Sequence, residues 1–190
     1  MDLPLSARAP HTPPDDEAAL RLRLHDEATR REAFGELVQR YGERLYRHIR
    51  KMVLTHPDAD DVLQNTFIKA WEGIANFRGD AQLHTWLYRI ATNEALTFLH
   101  HTKRLLRLSA GDAAQLLANL RSTDSHLSAG DVQAKLQAAI LTLPPKQRLV
   151  FNMRYFDEMP YEQMSEILGT SVGALKASYH HAVRRVEGWL

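Results

Sequence analysis

There is no cysteine anywhere in the 190 residues. Disulfides and thiolate metal sites are thereby excluded, and the composition suits a reducing, cytoplasmic setting. No apolar run approaches the roughly 18 residues that a membrane-spanning helix needs. The N-terminus, with Pro4, Pro10, Pro13, Pro14 and Asp15-Asp16-Glu17, lacks the apolar core of a signal peptide. It reads as a flexible tail over residues 1–16, and stable membrane insertion is not expected. An excess of charge of one sign is also lacking: 24 Lys and Arg stand against 23 Asp and Glu. Any nucleic-acid contact must therefore come from local clustering rather than from a basic chain as a whole. Catalytic signatures are missing as well. The chain has no Gly-rich phosphate loop, nucleophile elbow or His-Glu-x-x-His spacing. Among its ten histidines, the pairs His100-His101 and His180-His181 would diverge by about 100° on a helix and cannot chelate jointly. No catalytic residue, metal or cofactor is expected.

What is present is the composition of a folded protein, 44% hydrophobic and 25% charged, in a length that suits one domain or two small ones. Its periodicity is helical and no segment reads as a strand. Phe34, Leu37, Val38, Tyr41, Leu45, Ile49, Met52 and Val53 trace one continuous apolar stripe. The break His56-Pro57-Asp58 ends it, and Asp58 is placed to cap the next helix, which runs to about Trp71. Residues 76–82 read as a loop from their Gly, Asn and Asp content. A helix over 85–103 follows. Residues 104–130, where Ser, Gly and Asp interrupt two short leucine clusters, suit an interdomain linker. Helices resume over 131–143, and Pro144-Pro145 open another to about Tyr155. The expected architecture is all-α: a first helical domain over 17–103, the linker over 104–130 and a second over 131–190.

The second domain ends in a helix-turn-helix. In Tyr161–Leu168, Met164, Ile167 and Leu168 form a one-sided stripe. Gly169 suits a left-handed helix end and Ser171 suits an N-cap. In the helix that follows, Val172, Leu175, Tyr179, Val183 and Val186 line one side. Gly173, Ala177, His180, His181 and Arg184 line the other, flanked by Lys176 and Arg185. Small residues lead and basic ones trail, the layout of a helix that enters a DNA major groove.

The first domain carries two further constellations. On the 85–103 helix, Leu87, Ala91, Ala95, Phe98 and Leu99, with Tyr88 at the margin, share a buried arc, and Trp86, Arg89, Asn93, Thr97 and His100 face the other way. Trp86 on a polar face suits stacking on an unpaired base, with an amide two turns on to read a base edge; the alternative is that Trp86 folds back onto the core. The preceding Phe77-Arg78-Gly79-Asp80 adds an aromatic, a cation and a hinge. On the 58–71 helix, Val62, Leu63, Phe67, Ala70 and Trp71 form the apolar arc, leaving Asp61, Gln64 and Ile68 outside it. That mixed strip suits a protein-docking face. A solvated face with one stray isoleucine is the plainer alternative.

The strings DADDVLQNTFIKAW at 58–71, FRGD at 77–80 and TWLYRIATN at 85–93 resemble region 2 of the sigma-70 family of bacterial sigma factors, in its small extracytoplasmic-function group. LPPKQRLVF at 143–151, Tyr155-Phe156, MPYE at 159–162 and ILGTSVGALK at 167–176 resemble region 4. The resemblance runs from about residue 28 to the end, with both motifs in order. It implies an RNA polymerase sigma factor that directs promoter-specific initiation and is not an enzyme. Asp61, Gln64 and Phe67 would then dock on the clamp helices of the β′ subunit, with Asp61 and Gln64 the more direct contacts because Phe67 lies on the apolar arc. Phe77, Arg78, Trp86, Arg89 and Asn93 would capture melted −10 bases. Gly173, Lys176, Ala177, His180, Arg184 and Arg185 would read the duplex −35 element. Implied partners are core polymerase, through the β′ clamp helices and the β flap, promoter DNA, and an anti-sigma factor.

Several positions depart from the family's pattern. Ala177-Ser178 stands where a Ser-Arg pair is common, and His181 and Val183 where Arg or Lys is. Pro160 replaces the usual capping Ser or Thr, and Asn65 a commonly acidic residue. The −35 preference therefore does not carry over. Two rival classes remain. A duplex-only regulator would use its N-terminal helices for dimerisation or sensing, which leaves the Trp86/Asn93 face unexplained. An interaction scaffold would bind no DNA.

Overall fold

The computed structural model describes residues 14–53, 55–107, 136, 139–140 and 142–188. Within them the order is α1 (Pro14–His25), α2 (Arg30–Arg50), α3 (His56–Gly73), a 3₁₀ turn (Ile74–Asn76), α4 (Leu83–Arg107), α5 (Pro145–Tyr155), α6 (Tyr161–Leu168) and α7 (Val172–Glu187). No strand occurs among the described residues, so the all-α expectation holds.

The apolar stripes account for the packing. In α2, Ala33, Leu37, Tyr41, Leu45, His48 and Ile49 are buried at steps of three and four, and burial of each large aliphatic is worth about 1.5–3 kcal/mol. Leu20 and Leu24 of α1, Val62 and Ala70 of α3, and Leu83, Leu87, Ala91 and Ala95 of α4 join the same core. Thr66, also buried, donates its hydroxyl to the Val62 carbonyl one turn back at 2.7 Å.

Local chemistry moves several expected boundaries. The tail is shorter at its inner edge than residues 1–16, because Pro14 opens α1. The cap of α3 is Thr55 rather than Asp58: the Thr55 hydroxyl accepts the Asp58 amide at 3.2 Å, with Pro57 in the first turn where no amide is needed. The stripe from Phe34 to Val53 is not one helix, since α2 stops at Arg50 and Met52 and Val53 are buried in the turn after it. Helix α4 starts two residues earlier than 85 and continues to Arg107; the rest of the expected linker lies outside the described residues. So does most of the 131–143 helix, although Leu136, Ala139, Ile140 and Thr142 are helical. Ala139, Ile140 and Leu143 pack with Phe151, Ala182 and Val186 in a second, smaller cluster.

The helix-turn-helix forms as its residues dictate. Gly169 ends α6 at φ +60°, its amide bonded to the Ser165 carbonyl, and the Ser171 hydroxyl accepts the Ala174 amide at the start of α7. Pro160 occupies the N-cap position of α6 without a side-chain cap. The helix forms nonetheless, because a proline there removes an amide that has no helical partner.

Candidate nucleic-acid interface

The α4 face is built from the loop beneath it. With Leu87, Tyr88, Ala91 and Ala95 turned inward, Arg89, Asn93, Thr97 and His100 are exposed. Trp86 lies between the two expected readings: its ring is half-buried and packed on the core, yet it borders the exposed face. It rests on Phe77 with ring centroids 4.9 Å apart and 36° between planes. Its other flank meets Gly73, where a Cβ would come within 3.3 Å of the indole. Phe77 is only 7% exposed. That burial sets the Phe77 ring beneath Trp86 rather than in the exposed position expected of a residue that meets a melted base. Arg78 is exposed, and the chain turns at Gly79 with φ +78°.

On α3, Asp61 and Gln64 are exposed and Phe67 is half-buried, its ring edge-on to Phe34 at 6.3 Å. Ile68 and Trp71 extend the same strip at 49% and 44% exposure. Trp71 is therefore less buried than its apolar arc implied, and its ring meets Phe34 in a T-shaped contact at 5.0 Å. Lys69 ties α3 to α4 through Glu94 at 2.5 Å. On α7, Leu175, Ala182 and Val186 are buried, and Gly173, Lys176, Ala177, His180, His181, Arg184 and Arg185 are all exposed. Ala182, not Val183, is inward because it lies about 20° around the helix from Leu175, and Val183 about 80°. No group of three or more metal-ligating side chains occurs among the described residues. No helix among them is long and apolar enough to cross a membrane.

Comparison with known proteins is consistent along the chain. Residues 37–105 match the sigma-70 region 2 family and residues 133–186 the sigma-70 region 4 family. The chain is 30% identical over 157 residues to the ECF RNA polymerase sigma factor SigW of Bacillus subtilis, covering 78% of this chain and 84% of that one. The chain belongs to the extracytoplasmic-function group of the sigma-70 family. It is 29% identical over 163 residues to the RNA polymerase sigma-H factor of Pseudomonas aeruginosa, covering 82% and 84% of the two chains. Its fold is similar to that of CnrH in complex with the cytosolic domain of CnrY, with TM-score 0.62, 24% identity and coverage of 90% and 95%. It is also similar to that of the sigma factor RpoE in complex with the anti-sigma factor NepR from Bartonella quintana, with TM-score 0.63, 21% identity and coverage of 82% and 95%. A sigma factor is a transcription-initiation subunit, and these relatives are regulatory factors rather than enzymes.

In this sigma factor the two regions are docked on each other, which the reading of two tethered bodies did not anticipate. Leu149, Val150, Met153, Met164 and Ile167 of region 4 share the main core with region 2. Helix α6 lies across the start of α4: the Arg89 guanidinium donates to the Glu166 carbonyl at 2.5 Å, and Gln163 meets the His84 ring at 2.5 Å. A second seam closes around the end of α2. Arg148 donates to the Met52 carbonyl at 3.2 Å and Asn152 to the Lys51 carbonyl at 2.8 Å. Lys51 pairs with Asp157. His48, wholly buried, bonds Thr92 at 3.0 Å and lies 3.6 Å from Asp157, an electrostatic contact too long for a hydrogen bond. Burial pushes the Asp157 carboxyl up, but the adjoining His48 ring and Lys51 ammonium outweigh it and hold the group below the usual carboxylate range. Burial pushes the Arg148 guanidinium down.

Of these seam residues, His48 alone had a local signal, being a polar residue in phase with the α2 stripe. Asn152, Asp157 and Arg148 act across about a hundred positions of chain and leave no local signature.

Proposed function

We propose that this sigma factor directs core RNA polymerase to promoters by capturing melted −10 bases on region 2 and reading the duplex −35 element with region 4. The observation that carries this reading is the α4 face: a half-exposed Trp86 backed by Phe77, with Arg89 and Asn93 exposed on successive turns. Stacking on an aromatic ring is worth about 1–3 kcal/mol per base. That is the right size to offset the few kcal/mol needed to take a base out of the helix. The second reader is α7. Gly173 and Ala177 let the backbone approach the groove, Lys176, Arg184 and Arg185 bring cations to phosphates, and His180 is placed for a phosphate or a base edge. Asp61 and Gln64, with Ile68 and Trp71 continuing their strip and Phe67 set behind it, form the face for the β′ clamp helices. The exposed Tyr155 and Phe156 beside α5 suit an apolar contact such as the β flap. An anti-sigma factor is the expected inhibitor, by covering these faces.

The docked arrangement cannot serve both elements at once. The −10 and −35 elements lie about 25 base pairs apart, roughly 85 Å of duplex. Helix α6 packs on both α4 and α7, which keeps the two readers within about 40 Å of each other. Region 4 must leave region 2 during initiation, and the 28 or so residues between Arg107 and Leu136 can span at most about 100 Å. The test is transcription by core polymerase plus this chain on a promoter library. Defined start sites with two sequence blocks at fixed spacing are expected. Starts that depend only on a duplex block would favour the duplex-only regulator instead.

A further inference from the structure

Helix α1 lies outside both matched segments, which begin at residues 37 and 133, yet it touches the base-capture loop at two points. The Glu17 carboxylate accepts the Leu83 amide at 2.6 Å, at the first residue of α4. A carboxylate there satisfies one of the amides that a helix start leaves unpaired and lies at the positive end of the helix dipole. One turn along α1, the Arg21 guanidinium covers Gly79: a Cβ at that position would stand 2.4 Å from its Nη1. Gly79 is also the residue whose φ of +78° turns the loop. One helix thus covers the loop at its bend with Arg21 and bonds it at its exit through Glu17, three residues before Trp86.

Helix α1 is itself held in place. Leu20 and Leu24 are buried, Asp16 pairs with Arg40 at 2.9 Å, and Arg23 pairs with Glu36 at 2.7 Å. Glu17, Arg21, Gly79 and Arg89 line one side of a cleft of about 1000 Å³ whose other side, while the regions are docked, is formed by Pro160, Glu162, Gln163 and Glu166 at α6.

We propose that Glu17 and Arg21 are positioning residues for single-strand capture: they fix residues 77–83 so that Trp86 and the loop present one preformed seat for an extruded base. This rests on the base-capture reading of α4. Neither side chain needs to touch DNA; each acts by removing loop conformations that would otherwise be lost on binding.

The test uses reconstituted holoenzyme and two probes from a promoter it transcribes: the labelled −10 non-template single strand and a duplex −35 fragment. Glu17→Ala and Arg21→Ala are expected to weaken single-strand binding at least about fivefold, the scale of one ordinary net hydrogen bond. Duplex binding and core association should stay near wild type, and the thermal midpoint should fall by no more than the few degrees that loss of one helix-start contact costs. Glu17→Gln, which keeps an acceptor oxygen, should recover most of the single-strand binding. Unchanged single-strand binding in both alanine variants would overturn the proposal. So would a Glu17→Gln variant as weak as Glu17→Ala with a lowered thermal midpoint, the mark of a stability role only. If wild-type holoenzyme shows no affinity for the single strand, the base-capture reading itself fails, an outcome that the wild-type arm separates from failure of the α1 proposal.

Discussion

On the proposed reading, Trp86 carries the base-stacking chemistry of region 2. Its ring is fixed by Phe77 below and Gly73 at its flank, so a stacking base would meet a surface already in place and little side-chain entropy would be lost. Trp86→Ala is therefore expected to slow open-complex formation about tenfold or more, with initial binding to closed duplex nearly unchanged; permanganate footprinting beside a duplex-binding assay separates the two steps. Equal losses in both would reduce Trp86 to a core residue. At the region seam, Asp157 faces His48 and Lys51 from α2 and its end, and lies near Tyr88 of α4, whose phenol is pushed up first by burial and then by the Asp157 charge. Because its carboxyl is held below the unfolded value of about 3.9, its stabilising contribution is complete above that pH and is lost as pH falls through the folded value. Thermal melting of Asp157→Asn should show a deficit of about 1–3 kcal/mol at neutral pH that shrinks towards zero below about pH 4. A deficit independent of pH would contradict this ion pairing.

At the scale of elements, α7 offers the plainest separation of roles. Its inward residues Leu175, Ala182 and Val186 hold the fold, and its cations are all outward. Lys176→Ala with Arg184→Ala should weaken upstream duplex binding by roughly tenfold or more and lower the salt dependence by up to about two phosphate contacts, with core association intact. A fall in polymerase binding instead would place α7 at the wrong interface. Helices were legible wherever one stripe met one core, as in α2, α4 and α6. The sequence-based reading misplaced what depends on a neighbour or on geometry within a turn. Thr55 caps α3 because its hydroxyl reaches the Asp58 amide, whereas Asp58 lies already inside the helix. Phe77 looked available beside its loop, and only the packing of Trp86 upon it shows it as a support. Glu17 and Leu83 are 66 residues apart, and no periodicity joins them.

For the whole molecule, near-neutral charge and docked regions fit a subunit that relies on its polymerase for much of its DNA affinity. Arg89 illustrates the coupling. It stands on the exposed α4 face, and its guanidinium is engaged by the Glu166 carbonyl of region 4, so on the proposed reading DNA and region 4 would compete for one group. The lack of native cysteine lets a donor and an acceptor dye be placed by thiol chemistry at Thr97 of α4 and Glu187 of α7, both exposed. Energy transfer between them in the free chain, and then in a promoter complex that is synthesising RNA, is the most direct measurement. Efficient transfer in the free chain, from a separation under about 40 Å, and its near loss in the complex, where the elements lie roughly 85 Å apart, are expected. Undiminished transfer in a complex that makes RNA would contradict the claim that region 2 and region 4 work apart, one on unpaired bases and the other on duplex DNA.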